Sequence, residues 1–154
     1  MQDLLKIENK YVIFEDVFRH FLNNEIINNL VCVEKAELEN SYPIEDGYIA
    51  LMHIDSPKYY NELKYIMTRF FQKLKLGALI IFQDYFYHWS ATLIAAIQLL
   101  KELEIISFDY SKASSLCTKV KKIPTLDDLL FIENSMKNNN TIVNLLNKSI
   151  VGIK

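Results

Sequence analysis

Short apolar runs alternate with helix-spaced apolar stripes along this chain, and polar turns divide them. Residues 11–14 (Tyr-Val-Ile-Phe) and 30–33 (Leu-Val-Cys-Val) are short β-prone runs, with a helical or irregular, Asn-rich stretch over 18–30 between them. Residues 34–47 are polar and close on Glu45-Asp46-Gly47, a turn signal. Residues 48–54 are almost continuously apolar, the pattern of a strand buried on both faces of a parallel sheet. A helix follows, with Ser56 or Asp55 as its cap and Pro57 in its first turn. Leu63, Ile66, Met67, Phe70, Phe71 and Leu74 fall at i, i+3, i+4, i+7, i+8 and i+11, one full apolar stripe, and Gly77 is the expected stop.

Residues 78–82 are the next strand, and 88–103 the next helix, with Trp89, Leu93, Ala96, Ile97 and Leu100 facing inward. Residues 104–108 and 116–123 read as an antiparallel edge pair across a Ser/Lys loop. Residues 125–136 form a helix capped by Thr125, with Asp127 and Asp128 in its first turn. Residues 137–140 are a turn, and the type of the apolar segment 141–153 stays open. Strands alternating with helices imply an α/β domain of about six strands and three or four helices, its sheet mainly parallel with an antiparallel edge hairpin. The α/β domain would take residues 1–124, and residues 125–154 a helical extension packed on it.

Two of the apolar runs end on acids. The run from Ile49 ends at Asp55, and the run from Ala78 ends at Gln83-Asp84-Tyr85. Parallel strands share one C-terminal edge, and ligands collect beside it. Asp55 and Asp84 would therefore meet, with Ser56, Gln83, Tyr85 and His88 around them. Such oxygen donors suit a hard cation such as Mg²⁺, which could orient a hydroxyl and lower its pKa, with His88 as general base. Alternatively, Asp55 only caps the following helix. His53 reads as a core histidine rather than a ligand. The aromatic run from Tyr85 to Trp89 is either core packing or a stacking surface. Glu15 or Asp16 could bond a ribose diol, or could be solvated loop acids.

Composition narrows the classes. The 154 residues fit one domain, and 51% hydrophobic with 23% charged residues is a globular balance. A net charge of −2 gives no electrostatic case for nucleic acid. No apolar stretch is long enough for a bilayer span, and the first residues lack a secretory pattern, which implies a cytoplasmic chain with Cys32 and Cys117 reduced. Only three glycines occur, Gly47, Gly77 and Gly152, so no Gly-rich nucleotide loop can form from them.

The segment Ile49-Ala-Leu-Met-His-Ile-Asp55, continuing to Leu63, and the later segment Leu76-Gly-Ala-Leu-Ile-Ile-Phe-Gln-Asp-Tyr85 resemble the metal-dependent sugar O-methyltransferases of the macrocin O-methyltransferase type. The stretches from Val33 to Pro43 and from Tyr11 to Phe18 are similar to upstream segments of that family, so the resemblance spans about residues 11–123. It implies a partial class I methyltransferase (Rossmann-like) sheet and S-adenosylmethionine-dependent methyl transfer to a sugar hydroxyl held by Mg²⁺. It assigns Asp55, Gln83 and Asp84 to the metal; a methyltransferase built this way would add His88 beside Asp55 in catalysis, with Glu15 or Asp16 on the cofactor ribose. Three positions depart from it. Lys58 stands where the family has a second aspartate, and Gln83 where it has a charged ligand. The family's first strand and Gly-rich S-adenosylmethionine loop would precede residue 11. The expected partners are a small sugar and a second copy of the chain, because a sheet lacking an early strand leaves an apolar edge to cover. A catalytically inactive module for self-association or interaction is the alternative.

Overall fold

The computed structural model describes residues 19–28, 49–55, 59–86 and 91–151. The chain divides into two units, Met1–Tyr42 and Pro43–Lys154. In the first, Asn23–Ile27 (α1) is a five-residue helix with no buried residue, and Asn28 closes it by donating its side-chain amide to the Asn24 carbonyl at 2.9 Å. The expected strands at 11–14 and 30–33 lie outside the described residues.

The second unit carries a four-stranded sheet. Its strands are Ile49–Ile54 (β1), Leu74–Phe82 (β2), Ile106–Lys112 (β3) and Ser115–Val120 (β4), in the order β1-β2-β4-β3. β1 and β2 are parallel, as the acid-terminated runs require, and the β3–β4 pair is the expected antiparallel hairpin. β2 also pairs antiparallel with β4. One parallel and two antiparallel ladders make this a mixed sheet among the described residues, rather than a mainly parallel one. The hairpin turns in two residues, with Lys112 paired to Ser115 and Ala113 at φ 53. A positive φ at the first loop position is what a type II′ turn demands.

The helices are Tyr60–Phe70 (α2), Ala91–Glu102 (α3), Leu126–Ser135 (α4) and Asn139–Val151 (α5). α2 buries Leu63, Ile66 and Met67, and Phe71 and Leu74 extend that stripe, as the spacing predicts. It begins later than expected, however. Tyr59 is its cap, with the Glu62 carboxylate accepting from the Tyr59 N–H at 3.4 Å. It ends in a single 3₁₀ turn, Phe71–Lys73, and β2 starts at once at Leu74.

Gly77 therefore stops no helix. It lies inside β2 at φ 81, where the β1–β2 register jumps from Ile49↔Leu74 to Leu51↔Leu79. The extra residues on β2 need a left-handed step, which glycine takes at no steric cost.

α3 is the centre of the packing. Leu93 and every residue from 95 to 100 are buried, Gln98 among them, so this helix lies inside rather than on the surface. It packs against β3, α2, α4 and α5. Its end is a Schellman motif: the Ile105 N–H donates to the Leu100 carbonyl and the Glu104 N–H to the Lys101 carbonyl, both at 3.0 Å. Glu104 takes the left-handed position, φ 56, usually given to glycine. The residues from 104 that looked like a strand start are thus the helix stop, and β3 begins at Ile106. α4 has the predicted cap: Thr125 Oγ1 accepts from the Asp128 N–H at 3.1 Å, and Asp128 Oδ2 accepts from the Thr125 N–H at 2.8 Å. The open segment after residue 138 is helical, and Asn138 Oδ1 caps it by accepting from the Thr141 N–H at 3.1 Å. Ion pairs tie the layer together, Lys64 to Glu133 at 3.0 Å and Lys148 to Glu102 at 2.8 Å.

The sheet is buried on one face only. Ala78, Ile80 and Phe82 of β2, with Leu116, Thr118 and Val120 of β4, face the core. Thr118 satisfies its hydroxyl there by donating to the Ile80 carbonyl at 3.2 Å. The other face presents Leu51, His53, Leu79 and Tyr110, with Ile81 and Cys117 partly covered. β1 is accordingly not buried on both faces, and His53 is exposed rather than a core histidine.

Candidate functional site

The ladder between β1 and β2 runs in step from Leu51↔Leu79 to Ile54↔Phe82, and the Gln83 N–H adds one more bond to the Ile54 carbonyl at 2.9 Å. Asp55 follows Ile54, and Gln83 and Asp84 follow Phe82. The acids expected at a shared strand edge thus leave neighbouring strands whose backbones lie about 5 Å apart.

Asp55 is exposed, whereas Gln83 and Asp84 are half-buried. Asp84 sits at φ 55, a left-handed turn that aspartate tolerates better than most residues, so the chain leaves the strand direction there. The β3–β4 hairpin braces this turn. Ser114 Oγ donates to Asp84 Oδ1 at 3.2 Å, and the Phe86 N–H donates to the Ser114 carbonyl at 3.3 Å. This contact arises because β4 runs antiparallel beside β2, which brings the hairpin loop to the end of β2. Sequence reasoning passed over Ser114. The only trace of it was the short Ser-rich loop, whose reach depends on β4 pairing with β2.

Tyr85 settles the aromatic alternative for its own position. It is fully buried, edge-on to Phe108 at 6.2 Å and to Phe86 at 4.8 Å between ring centroids. Its hydroxyl has no hydrogen-bond partner among the described residues, and burial pushes its pKa well above the ordinary tyrosine value. Tyr85 is a core aromatic beneath the site rather than a stacking surface. His88, Ser56, Lys58, Glu15 and Asp16 lie outside the described residues, as do Tyr87 and Trp89.

The donor set at this edge is two carboxylates and one carboxamide. No group of three or more His, Cys, Asp or Glu side chains suited to a metal occurs among the described residues. Mg²⁺ commonly takes only one or two carboxylates, with water and substrate oxygens completing the shell, so the set could hold such an ion weakly. Ser114 already uses part of the acceptor capacity of Asp84. For S-adenosylmethionine, the three scattered glycines offer no Gly-rich loop to cradle the methionine end.

Cys117 is a free thiol on the open face, and burial, then the nearby Asp109, push its pKa up, away from thiolate chemistry. No helix among the described residues is long and apolar enough to cross a membrane. A scan against protein-family models finds no match, and searches of curated proteins and of solved structures find none either.

Proposed function

We propose that this chain is an S-adenosylmethionine-dependent O-methyltransferase-like protein that holds a sugar hydroxyl through a divalent cation at the shared end of β1 and β2. The observation that carries the reading is the in-step parallel pairing up to Ile54 and Phe82, which delivers Asp55 beside Gln83 and Asp84. The resemblance of these segments to the sugar O-methyltransferase family supplies the reaction class. In this reading Asp55 and Asp84 contribute charge to the cation, and Gln83 contributes a neutral oxygen. Ser114 donates to the Asp84 carboxylate and would help to hold it in place for such a cation. His88 would take the proton of the acceptor hydroxyl, and the cofactor, when bound, would supply the methyl group.

The test has two arms. Mn²⁺, used as a paramagnetic stand-in for Mg²⁺, should bind the full chain, and Asp55→Asn or Asp84→Asn should each weaken binding by about tenfold or more. Calorimetry with S-adenosylmethionine in the presence of Mg²⁺ should give saturable heat. No Mn²⁺ binding removes the metal site, and no heat at millimolar cofactor removes the methyltransferase.

A second reading, a non-catalytic module that pairs with another copy, is favoured by the apolar open face. There Leu51 is 60% and Tyr110 61% exposed. Burying that face in a homodimer would remove the apolar surface from water. A strictly monomeric mass by light scattering at high protein concentration would exclude it.

A further inference from the structure

β3 is antiparallel to β4, and β4 to β2, so β3 runs in the same direction as β1 and β2. The start of β3 therefore lies at the sheet edge opposite Asp55 and Asp84. Here, where α3 ends and the chain leaves β4, a cleft of about 640 Å³ opens to solvent. Lys101, Lys121 and Lys122 line it against a single carboxylate, Glu104, with Ile106, Ser107 and Phe108 of β3 completing the wall. The chain as a whole carries a net charge of −2, so this is a local reversal of sign rather than part of a generally basic surface.

The reversal is built into the backbone. The Schellman motif at Glu104 turns the chain straight from the Lys101 turn into β3. The carbonyl of Ile105 then accepts from both the Lys121 N–H at 2.8 Å and the Lys122 N–H at 3.2 Å. One peptide group thus locks the two lysine-bearing segments together, and Ile105 and Ile106 anchor it in the core. The Lys101 ammonium lies 4.3 Å from the centroid of the Phe108 ring, a cation–π contact that orients the charge without neutralising it. Lys122 differs, since Asp128 holds it at 3.0 Å. Lys101 and Lys121 form no ion pair among the described residues, and their positive charge stays available to a ligand.

We infer that this cleft binds a small phosphate-bearing anion, with Lys101 and Lys121 on the phosphoryl oxygens. A volume in the range of ordinary small-molecule pockets, about 300–1,000 Å³, exceeds what a bare phosphate fills. The partly exposed Phe108 ring suits the organic part of a phosphate ester. The site is independent of the metal edge and needs neither cation nor methyl donor.

Inorganic phosphate and pyrophosphate are titrated into the isotope-labelled full chain at physiological ionic strength, without divalent metal, and followed by amide shifts. Saturable changes at Ser107, Phe108 and Lys121 are expected, with pyrophosphate the tighter ligand. Lys101→Gln and Lys121→Gln should each weaken it by about tenfold or more, the size of a lost charge-assisted hydrogen bond. Glu104→Gln should tighten it severalfold. Lys112→Gln removes the same charge at the far end of β3 and should leave affinity unchanged. Absence of saturable binding by either anion overturns the inference. So does a Lys112→Gln loss equal to that of Lys101→Gln, which would mean only diffuse attraction.

Discussion

Along β2, Ala78, Ile80 and Phe82 are buried, while Leu79 between them is 36% exposed and its β1 partner Leu51 is 60% exposed. Both rows are apolar, so residue type does not separate the two faces of the sheet. The helices do. α3, buried along most of its length, lies against β3 on the inner face and is backed by α5, and α2 and α4 pack on it in turn. The inner face is consequently a close-packed interior, where lost volume is felt at once. The outer face mixes apolar side chains such as Leu51 and Leu79 with His53 and Lys119, and Leu51, His53, Leu79 and Lys119 are all exposed there.

The largest effect that separates the faces is expected from one substitution on each. Ile80→Ala should lower unfolding stability by about 3 kcal/mol in urea titration, through lost burial and the cavity it leaves. Leu51→Thr, which puts a strand-favouring β-branched residue on the exposed row, should change it by no more than about 0.5 kcal/mol. Equal losses from the two would break the comparison, because they would mean that the outer face is as tightly covered as the inner one.

The helical layer also depends on its caps. Thr125→Ala removes the cap of α4 and should cost about 1 kcal/mol. The Asp128 carboxyl is held below its ordinary value, first by the Thr125 backbone N–H and then by its bonds to Lys122 and Thr125. Its folded pKa is depressed, so its contribution is fully present above the unfolded value of 3.8 and is lost as pH falls through the lower folded value. In acid titrations, Asp128→Asn should therefore flatten the decline of stability in that window. An unchanged acid limb would show that the cap does not help to hold the layer.

Smallest is the C-terminal stop of α3. Glu104→Gly relieves a left-handed non-glycine residue at some cost in chain entropy and should raise stability by about 0.5–1 kcal/mol, read as a higher urea midpoint. A loss instead would mean that the Glu104 side chain contributes more than its backbone strain costs.

Elements whose signal is local could be read from the residues alone. The α2 stripe, the Thr125 cap and the acid-ended strands β1 and β2 all carry their pattern within a few residues. Where the reading failed, a partner distant in sequence decides the outcome. Leu51 and Leu79 made single-face strands look buried on both sides, since apolar residues on an open face erase the period-two alternation. Gly77 looked like a helix stop because a glycine after an apolar stripe usually is one, and only the β1 register reveals its role as a kink inside β2. The residues from Glu104 have strand-like composition, yet the Schellman bonds from Leu100 and Lys101 set the boundary. At the site, the adjacency of Asp55 and Asp84 could be inferred from strand order, whereas the Ser114 brace could not, because it requires knowing that β4 lies beside β2.

Gly77 also limits how the sequence can drift. A Cβ built there would meet only the Lys119 Cε, at 3.7 Å, an ordinary contact, so there is room for a side chain. What the position refuses is a torsion. Replacements are filtered by their ease in the left-handed region, with asparagine and aspartate foremost and valine and isoleucine last, almost regardless of size. A lineage that lost this glycine would be expected to shorten β2 by the residues the kink absorbs before it accepted a branched side chain in their midst.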